Sequence, residues 1–204
     1  MHEIVNLLNE IGMLSHIPRS GFAFLGSGKQ SVAEHSYRVA LIAHALARLS
    51  SKASDKTIDH SKLIMMCLLH DLPEARTGDL NYLQKKYVHT DLPKAINDIE
   101  KGSPLGPEIA EWINEYEDDL TEEAKIAHDA DQLELFLVLK KEHELGNPRA
   151  LEWFKTGCKR LKTPIAKELA EMIFQTSSDE WWFGDKEDVH WIDGGKLKKE
   201  NKKE

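Results

Sequence analysis

The 204-residue chain is predicted to be an all-α protein on the basis of three observations. Apolar residues recur at the three- and four-residue spacing of amphipathic helices over most of the chain. Nothing in it alternates strand and helix patterns as βαβ units do, and it contains no internal repeat. Loops rich in Gly, Ser and Pro separate the helical segments. The length allows one domain with a sizeable core.

The first two helices are predicted from apolar spacing and from a capping signal. Residues 3–14 form the first helix, and residues 16–30 form a loop rich in Gly, Ser and Pro. Ser31 and Glu34 match the capping box, in which each side chain accepts a hydrogen bond from the other residue's backbone N–H. The second helix is therefore expected to run from this pair to about Ser50.

The third helix is predicted from about His60 to Leu72. Pro73 follows it, and proline lacks a backbone N–H and clashes with the carbonyl four residues earlier, here that of Leu69. The helix is therefore expected to end or kink at this point.

A long helix is predicted after Thr121, which can cap it. The helix is expected to end near Leu145, because Gly146 and Pro148 are stop signals. Three further helices are predicted over residues 92–101, 107–118 and 164–176.

The chain is predicted to divide at residue 178. Residues 1–178 form the domain, and residues 179–204 form a Trp-rich, charged tail whose final GGKLKKENKKE is expected to be disordered. Trp181 and Trp182 are expected to pack back onto the domain, with a dimer or lid contact as the alternative.

Composition excludes several classes of protein. Lys and Arg total 27 against 35 Asp and Glu, and the resulting net charge of −8 argues against binding a nucleic-acid polymer. Cys67 and Cys158 are too few for a disulfide framework or a thiolate zinc cluster. No apolar run is long enough to cross a membrane, and the N-terminus lacks the pattern of a signal peptide. A cytoplasmic protein is expected.

Four polar residues fall on the apolar faces of predicted helices: His35, His70, Asp71 and Asp131. Burying such groups without partners is costly, so either each finds its own hydrogen bond or all converge on one partner. For any one of them alone, a separate hydrogen bond is the simpler interpretation. Three helices that each supply a ligand type favour a shared divalent cation. A mixed imidazole and carboxylate set suits Mn, Co, Fe, Ni or Zn.

The chain resembles the HD-domain metal-dependent phosphohydrolases, and in particular their 5′-deoxynucleotidase branch. The resemblance covers residues 4–176, and its motifs are IPRSGF, VAEHSYRVALIAHAL, LLHDLPEARTGDL and EYEDDLTEEAKIAHDADQLEL. It implies an all-α fold consisting of a single HD-domain helical bundle, and a homodimer.

The resemblance also implies residue roles. His35, His70, Asp71 and Asp131 match the ligands of one divalent metal ion. Glu74 matches the acidic residue beside the attacking water.

Substrate contacts are implied in the same way. Arg19 matches the arginine near the substrate phosphate, and Asp79 matches the contact to the sugar 3′-hydroxyl. Some relatives carry tryptophan directly after this arginine, where this chain has Ser20. Phe22 matches the tryptophan position of others and is the candidate for stacking on base or sugar.

The function expected from the resemblance is hydrolysis of deoxyribonucleoside 5′-monophosphates. A first alternative is another nucleotide substrate, such as a cyclic nucleotide, a dNTP or an alarmone. A dNTP or alarmone would require more cations near the metal than Arg19, with Arg38 and Arg76 as the candidates. A second alternative is a non-catalytic, metal-stabilised helical scaffold.

Overall fold

Residues 1–53 and 57–194 are described by a computed structural model of the chain. These residues form α-helices joined by short loops and contain no β-strand, so the all-α prediction is confirmed. The first six helices are α1 (His2–Met13), α2 (Phe22–Leu25), α3 (Val32–Ala53), α4 (His60–Leu69), α5 (Glu74–Thr77) and α6 (Leu92–Gly102). The next six are α7 (Gly106–Asp118), α8 (Glu122–Glu144), α9 (Pro148–Gly157), α10 (Pro164–Gln175), α11 (Glu180–Phe183) and α12 (Val189–Ile192).

The long helices α3 and α8 form the centre of the bundle. Each packs against the other and against α4, and α9 and α10 cover α8 from the far side. Their shared core includes the fully buried side chains of Leu46, Leu63, Leu133 and Phe136. A second apolar cluster lies between α1, α6, α7 and the start of α3. The beginning of α3, the end of α4 and the middle of α8 therefore meet where the two clusters adjoin.

The predicted caps form as expected. The Ser31 N–H donates to Glu34 Oε2 at 2.7 Å, and the Glu34 N–H donates to Ser31 Oγ at 3.2 Å. Thr121 Oγ1 accepts the Ala124 N–H at 3.1 Å, and α8 ends one residue before Leu145. Both long helices therefore begin where the sequence places their caps.

The end of the third predicted helix requires correction. Helix α4 ends at Leu69 rather than at Leu72. Pro73 has no N–H to donate to the Leu69 carbonyl. The Leu72 N–H donates to that carbonyl instead, at 2.9 Å. The chain tightens into a three-residue hydrogen-bonded turn and then enters α5.

Five of the described helices were not predicted: the four-residue helices α2, α5, α11 and α12, and the longer α9. Helix α2 lies inside the expected loop, and α9 begins at Pro148, which was interpreted only as a stop signal. Pro148 is also a favourable first helical residue, because its missing N–H would have no intrahelical partner there. Asn147 caps α9 by accepting the Arg149 N–H at 3.0 Å.

The expected packing of the tail tryptophans onto the domain is wrong. Trp181 is 86% exposed and Trp182 is 57% exposed. The ring of Trp182 contacts Phe183 and Trp191, so the aromatic contacts form within the tail. Residues 195–204, where disorder is expected, lie outside the described residues. No described helix combines the length and the hydropathy needed to cross a membrane.

A pair of glycine substitutions tests the packing of the central helices. A Cβ on Gly157 would collide with the ring of Phe136 in the core, whereas a Cβ on Gly12 in α1 would meet no atom within 4 Å. Gly157→Ala is expected to lower the free energy of unfolding by about 1–3 kcal/mol, as overpacking does. Gly12→Ala is expected to raise it by about 0.5–1 kcal/mol, because alanine is the better helix former. Urea unfolding measures both, and equal effects would contradict the described packing.

Candidate active site

The four predicted ligands come together although three separate segments carry them. His35 lies in the first turns of α3, His70 and Asp71 follow the last residue of α4, and Asp131 lies in the middle of α8. His35 Nε2 is 3.0 Å from Asp131 Oδ1 and 3.8 Å from Asp71 Oδ2. His70 Nε2 is 3.3 Å from Asp71 Oδ2. We refer to these four residues as the His/Asp centre.

Both histidines direct the same ring nitrogen into the centre. His35 Nδ1 is 2.8 Å from Glu134 Oε2, and His70 Nδ1 is 2.9 Å from the Cys67 carbonyl oxygen. An ionised carboxylate and a carbonyl can only accept, so each Nδ1 carries a hydrogen and donates it. In the neutral rings, each Nε2 therefore presents a lone pair to the centre.

The donor atoms fit a divalent metal ion. His35 Nε2 is buried and lacks a hydrogen-bond partner, because Asp131 Oδ1 lies close to it but is not aligned as an acceptor. Ligand atoms of His35, His70 and Asp71 all lie within 4.8 Å of one another. Ligand distances of about 2.0–2.2 Å place neighbouring ligands of one ion roughly 3–4 Å apart, the range of the contacts above.

The pKa values show that the centre attracts positive charge. Burial disfavours the charged form of His70, but the negative charge of Asp71 outweighs it and raises the pKa of His70 to about 9. Burial likewise opposes charge on His35, yet the nearby carboxylates of Asp131 and Glu134 raise its pKa. A proton at Nε2 therefore competes with a metal ion for the same position.

The two aspartates remain ionised. Burial alone would raise the pKa of both, but the charge of His70 lowers that of Asp71, and the adjacent His35 ring lowers that of Asp131. Both carboxylates are therefore available as anionic ligands.

The His/Asp centre lies at one wall of a cleft of about 530 Å³. Arg19, Glu74, Asp79 and Tyr116 also line the cleft, together with Lys85, Val88, His89, Thr90 and Leu92. Two other clefts, of about 550 and 610 Å³, contain no histidine and none of the predicted site residues.

Glu74 is directed into this cleft by the turn at Pro73. The Glu74 N–H donates to the Asp71 carbonyl at 3.0 Å, so the chain continues its helical path instead of turning away. Glu74 Oε2 is buried without a hydrogen-bond partner. Burial and the charges of Asp71 and Asp79 raise the pKa of Glu74 to about 8. The carboxyl group can therefore gain or lose a proton near neutral pH.

Arg19 and Asp79 both line the cleft beside the centre. Arg19 Nη1 is 3.4 Å from Asp71 Oδ2, and its Nη2 is 4.0 Å from Asp131 Oδ1. Asp79 Oδ2 accepts the Ser20 N–H at 2.8 Å, which ties the turn after α5 to the loop after α1. Both predicted substrate residues thus lie beside the predicted ligands.

Phe22 takes a different position. It begins α2, is half-buried, and packs against the core cluster of α3 and α8. Its ring lies against Gly28, and it is not among the residues that line the cleft. A role in stacking stays a prediction without support from the cleft.

Sequence reasoning missed two residues of the site. Glu134, which holds His35, lies three positions after Asp131 and therefore on the same face of α8. Tyr116 packs its ring 4.8 Å from that of His70. The i, i+3 spacing from Asp131 was the signal available for Glu134, whereas nothing in the sequence singles out Tyr116.

An all-α fold that gathers two histidines and two aspartates beside an open cleft defines the protein as a helical metal-dependent hydrolase. The chain belongs to the HD-domain family, whose model matches residues 11–173.

Individual relatives agree with this assignment. The protein named 5′-deoxynucleotidase HDDC2 from Dictyostelium discoideum is 32% identical over 78% of this chain and 90% of its own length. The protein of the same name from Xenopus laevis is 25% identical over 84% of this chain and 86% of its own. Among solved structures, a conserved hypothetical protein from Pyrococcus furiosus is 32% identical with a TM-score of 0.71. That match covers 84% of this chain and 97% of the other.

The raised pKa of His70 predicts how stability depends on pH in the metal-free protein. Its stabilisation is fully present below the unfolded value of 6.5 and is lost as pH rises to about 9, because the folded state binds the extra proton. The free energy of unfolding in EDTA is therefore expected to fall between pH 6.5 and 9. Glu74, with its raised pKa, acts in the same direction. Urea titrations of the native chain and of His70→Gln isolate the histidine, and equal slopes in the two proteins would contradict its assignment.

Proposed function

We propose that this chain is a metal-dependent 5′-deoxynucleotidase, which hydrolyses deoxyribonucleoside 5′-monophosphates to deoxynucleoside and phosphate. The observation that carries the proposal is the convergence of the His/Asp centre with Arg19, Glu74 and Asp79 on one cleft. The relatives named 5′-deoxynucleotidase support it, since they match this chain over most of their length.

In this proposal the His/Asp centre holds one divalent ion, which is Mn, Co, Fe, Ni or Zn. Two imidazole nitrogens and two carboxylates leave ligand positions for water and substrate, as in catalytic rather than structural sites. When bound, such an ion lowers the pKa of water and offsets the charge of a phosphate.

Arg19 and Asp79 orient the substrate. The planar guanidinium of Arg19, held beside Asp71, matches the geometry of a phosphate. Asp79 keeps one oxygen on the Ser20 N–H and can accept the sugar 3′-hydroxyl with the other. Selection against ribonucleotides then requires only a wall too close for a 2′-hydroxyl.

Glu74 accepts the proton of the attacking water. A bond from phosphorus to the water oxygen forms while the bond between phosphorus and the 5′-oxygen breaks, and the 5′-oxygen leaves as a hydroxyl after it receives the proton that Glu74 took from the water. A carboxyl group with a buried, unpaired oxygen and a pKa near 8 suits this proton transfer.

The alternatives receive less support. A polyphosphate needs several cations at the cleft, but Arg38 contacts Glu134 and Arg76 pairs with Glu10. Neither arginine is among the described residues that line the cleft. A scaffold role would leave the buried Glu74 Oε2, which has no hydrogen-bond partner, without a purpose.

The proposal includes the setting of the enzyme. We place it in the cytoplasm as a homodimer, in accordance with the family resemblance. Two free cysteines and a nucleotide substrate suit that compartment.

Phosphate release from a panel of nucleotides tests the activity. Each dNMP and NMP is supplied to protein that has been stripped with EDTA and reloaded with Mn²⁺, Co²⁺, Fe²⁺, Ni²⁺ or Zn²⁺. We expect turnover with at least one metal, loss of turnover in EDTA, and faster turnover of dNMPs than of NMPs. Equal or faster turnover of NMPs would overturn the deoxyribose preference, and no turnover of any phosphoester would overturn the activity.

Glu74→Gln tests the proton transfer. An amide cannot accept the proton, so kcat is expected to fall by about 10²–10⁴-fold, while the metal content measured by elemental analysis is unchanged. Glu111→Gln is the matched control, because Glu111 lies on α7 at a different cleft and its substitution should leave kcat unchanged. Full activity in Glu74→Gln would eliminate Glu74 as the base.

A further inference from the structure

Glu134 is a buried carboxylate whose two oxygens have separate partners. Its side chain is 1% exposed. Oε2 lies 2.8 Å from His35 Nδ1. Oε1 accepts a hydrogen bond from Gln30 Nε2 at 2.8 Å and contacts Arg38 Nη1 at 2.9 Å. The carboxylate thus joins the loop before α3, α3 itself and α8 beside the His/Asp centre.

The cost of burying this charge is offset by its neighbours. An unpaired carboxylate in the interior is strongly destabilising, and here an arginine, an amide and an imidazole all meet it. The arginine side chain is 40% exposed, so its own charge remains partly hydrated. Donors from Gln30 and Arg38 at one oxygen, and the His35 ring at the other, therefore leave Glu134 to act as a hydrogen-bond acceptor.

An acceptor at His35 Nδ1 determines where the ring carries its hydrogen. The neutral imidazole has one N–H, and Glu134 holds it at Nδ1, which leaves the Nε2 lone pair for the centre. His70 obtains the same arrangement from the Cys67 carbonyl, a backbone atom that no substitution removes. Of the two histidines, only His35 depends on a side chain to hold its hydrogen at Nδ1.

We propose that Glu134, with Gln30 and Arg38 at its other oxygen, is a positioning residue that sets the tautomer of His35 and so prepares Nε2 to bind the metal. The inference rests on the proposed function, because it concerns the metal site of that function. Glu134 itself does not touch the substrate or the ion.

Glu134→Gln provides a sharp test because the two donors dictate how an amide must lie. Gln30 and Arg38 both direct N–H groups at Oε1, so the amide oxygen of the new side chain would take that place. Its NH2 group would then face His35 Nδ1, which would have to accept. The ring hydrogen would move to Nε2 and block the lone pair.

Zinc affinity measures the effect without reference to activity. Competition against a chromophoric chelator is expected to show Zn²⁺ binding weakened about 10–100-fold in Glu134→Gln, as for other partners of metal-bound histidines. Long-range ¹H–¹⁵N spectra of zinc-saturated protein are expected to show His35 Nδ1 protonated in the native chain and unprotonated in the variant. Glu142→Gln is the control, because Glu142 is also buried on α8 but lies near Gly28, away from the centre.

A swapped pair separates the tautomer effect from a loss of packing. In Gln30→Glu combined with Glu134→Gln, Arg38 is expected to pair with the new carboxylate at position 30, so the amide can donate to that carboxylate and turn its oxygen back to His35 Nδ1. We expect this pair to recover about tenfold of the lost affinity. The pair keeps the net charge, so it also decides the question if Glu134→Gln alone does not fold.

The possible outcomes distinguish a failure of the inference about Glu134 from a failure of the proposed function. A native chain that binds no Zn²⁺ or other divalent metal would overturn both. A native chain that binds Zn²⁺ no more tightly than Glu134→Gln does would overturn the inference alone. An affinity that the swapped pair fails to recover would also overturn it, because lost packing would then account for the change.

Discussion

The burial of two imidazoles and two carboxylates at one point is the constraint on which the rest of the site depends. Each group loses hydration when it is buried, and the loss is tolerable only if opposite charges and hydrogen bonds replace the water. His35 and His70 each use Nδ1 for an acceptor behind them and leave Nε2 facing Asp71 and Asp131. The raised pKa of His70 and the lowered pKa of Asp131 express one fact, namely that this point needs a cation. A proton satisfies the need in part, and a divalent ion satisfies it more completely.

Pro73 brings the remaining chemistry to that point. Because it cannot donate to the Leu69 carbonyl, α4 ends one residue before His70, and the chain tightens instead of continuing as a regular helix. Glu74 then begins a new helical turn beside Asp71. The chain reverses at Gly78, whose φ of +74° is one that residues with a Cβ rarely adopt. One irregular segment thus supplies two of the proposed ligands, the proposed base and part of the cleft lining.

Local signals in the sequence were sufficient for the scaffold and for the His/Asp centre. The Ser31–Glu34 capping box and the Thr121 cap locate the starts of α3 and α8 because their hydrogen bonds join residues three apart in the chain. Polar residues on apolar faces likewise identify groups that must find partners. These signals predict structure correctly because the interacting groups lie within a few residues of one another or on one face of a single helix.

What the sequence could not predict depends on contacts between distant segments. Pro148 both follows one helix and begins another, and only its tertiary position distinguishes the two uses. Trp182 contacts Phe183 and Trp191 rather than the domain, a choice that spacing cannot reveal. Glu134 acquires its importance from Gln30 and His35, which lie 104 and 99 residues away in sequence. The residues of the His/Asp centre can therefore be identified in the sequence, but the partners that orient them can be identified only in the structure.

The charges around the cleft couple metal binding to substrate binding. Carboxylates from Glu74, Asp79 and Glu117 line it in addition to those of the centre, whereas the described lining residues with a permanent positive charge are Arg19 and Lys85. In the metal-free protein this surplus of negative charge opposes the entry of a phosphate. A divalent ion at the centre reduces that surplus, so metal and nucleotide must each strengthen the binding of the other, because coupling between two sites is reciprocal. Glu74 shares in the same balance, since its raised pKa reflects the neighbouring carboxylates as well as burial. Any cation that enters the cleft therefore also makes Glu74 more readily ionised, and an ionised Glu74 is the form that can accept a proton from water.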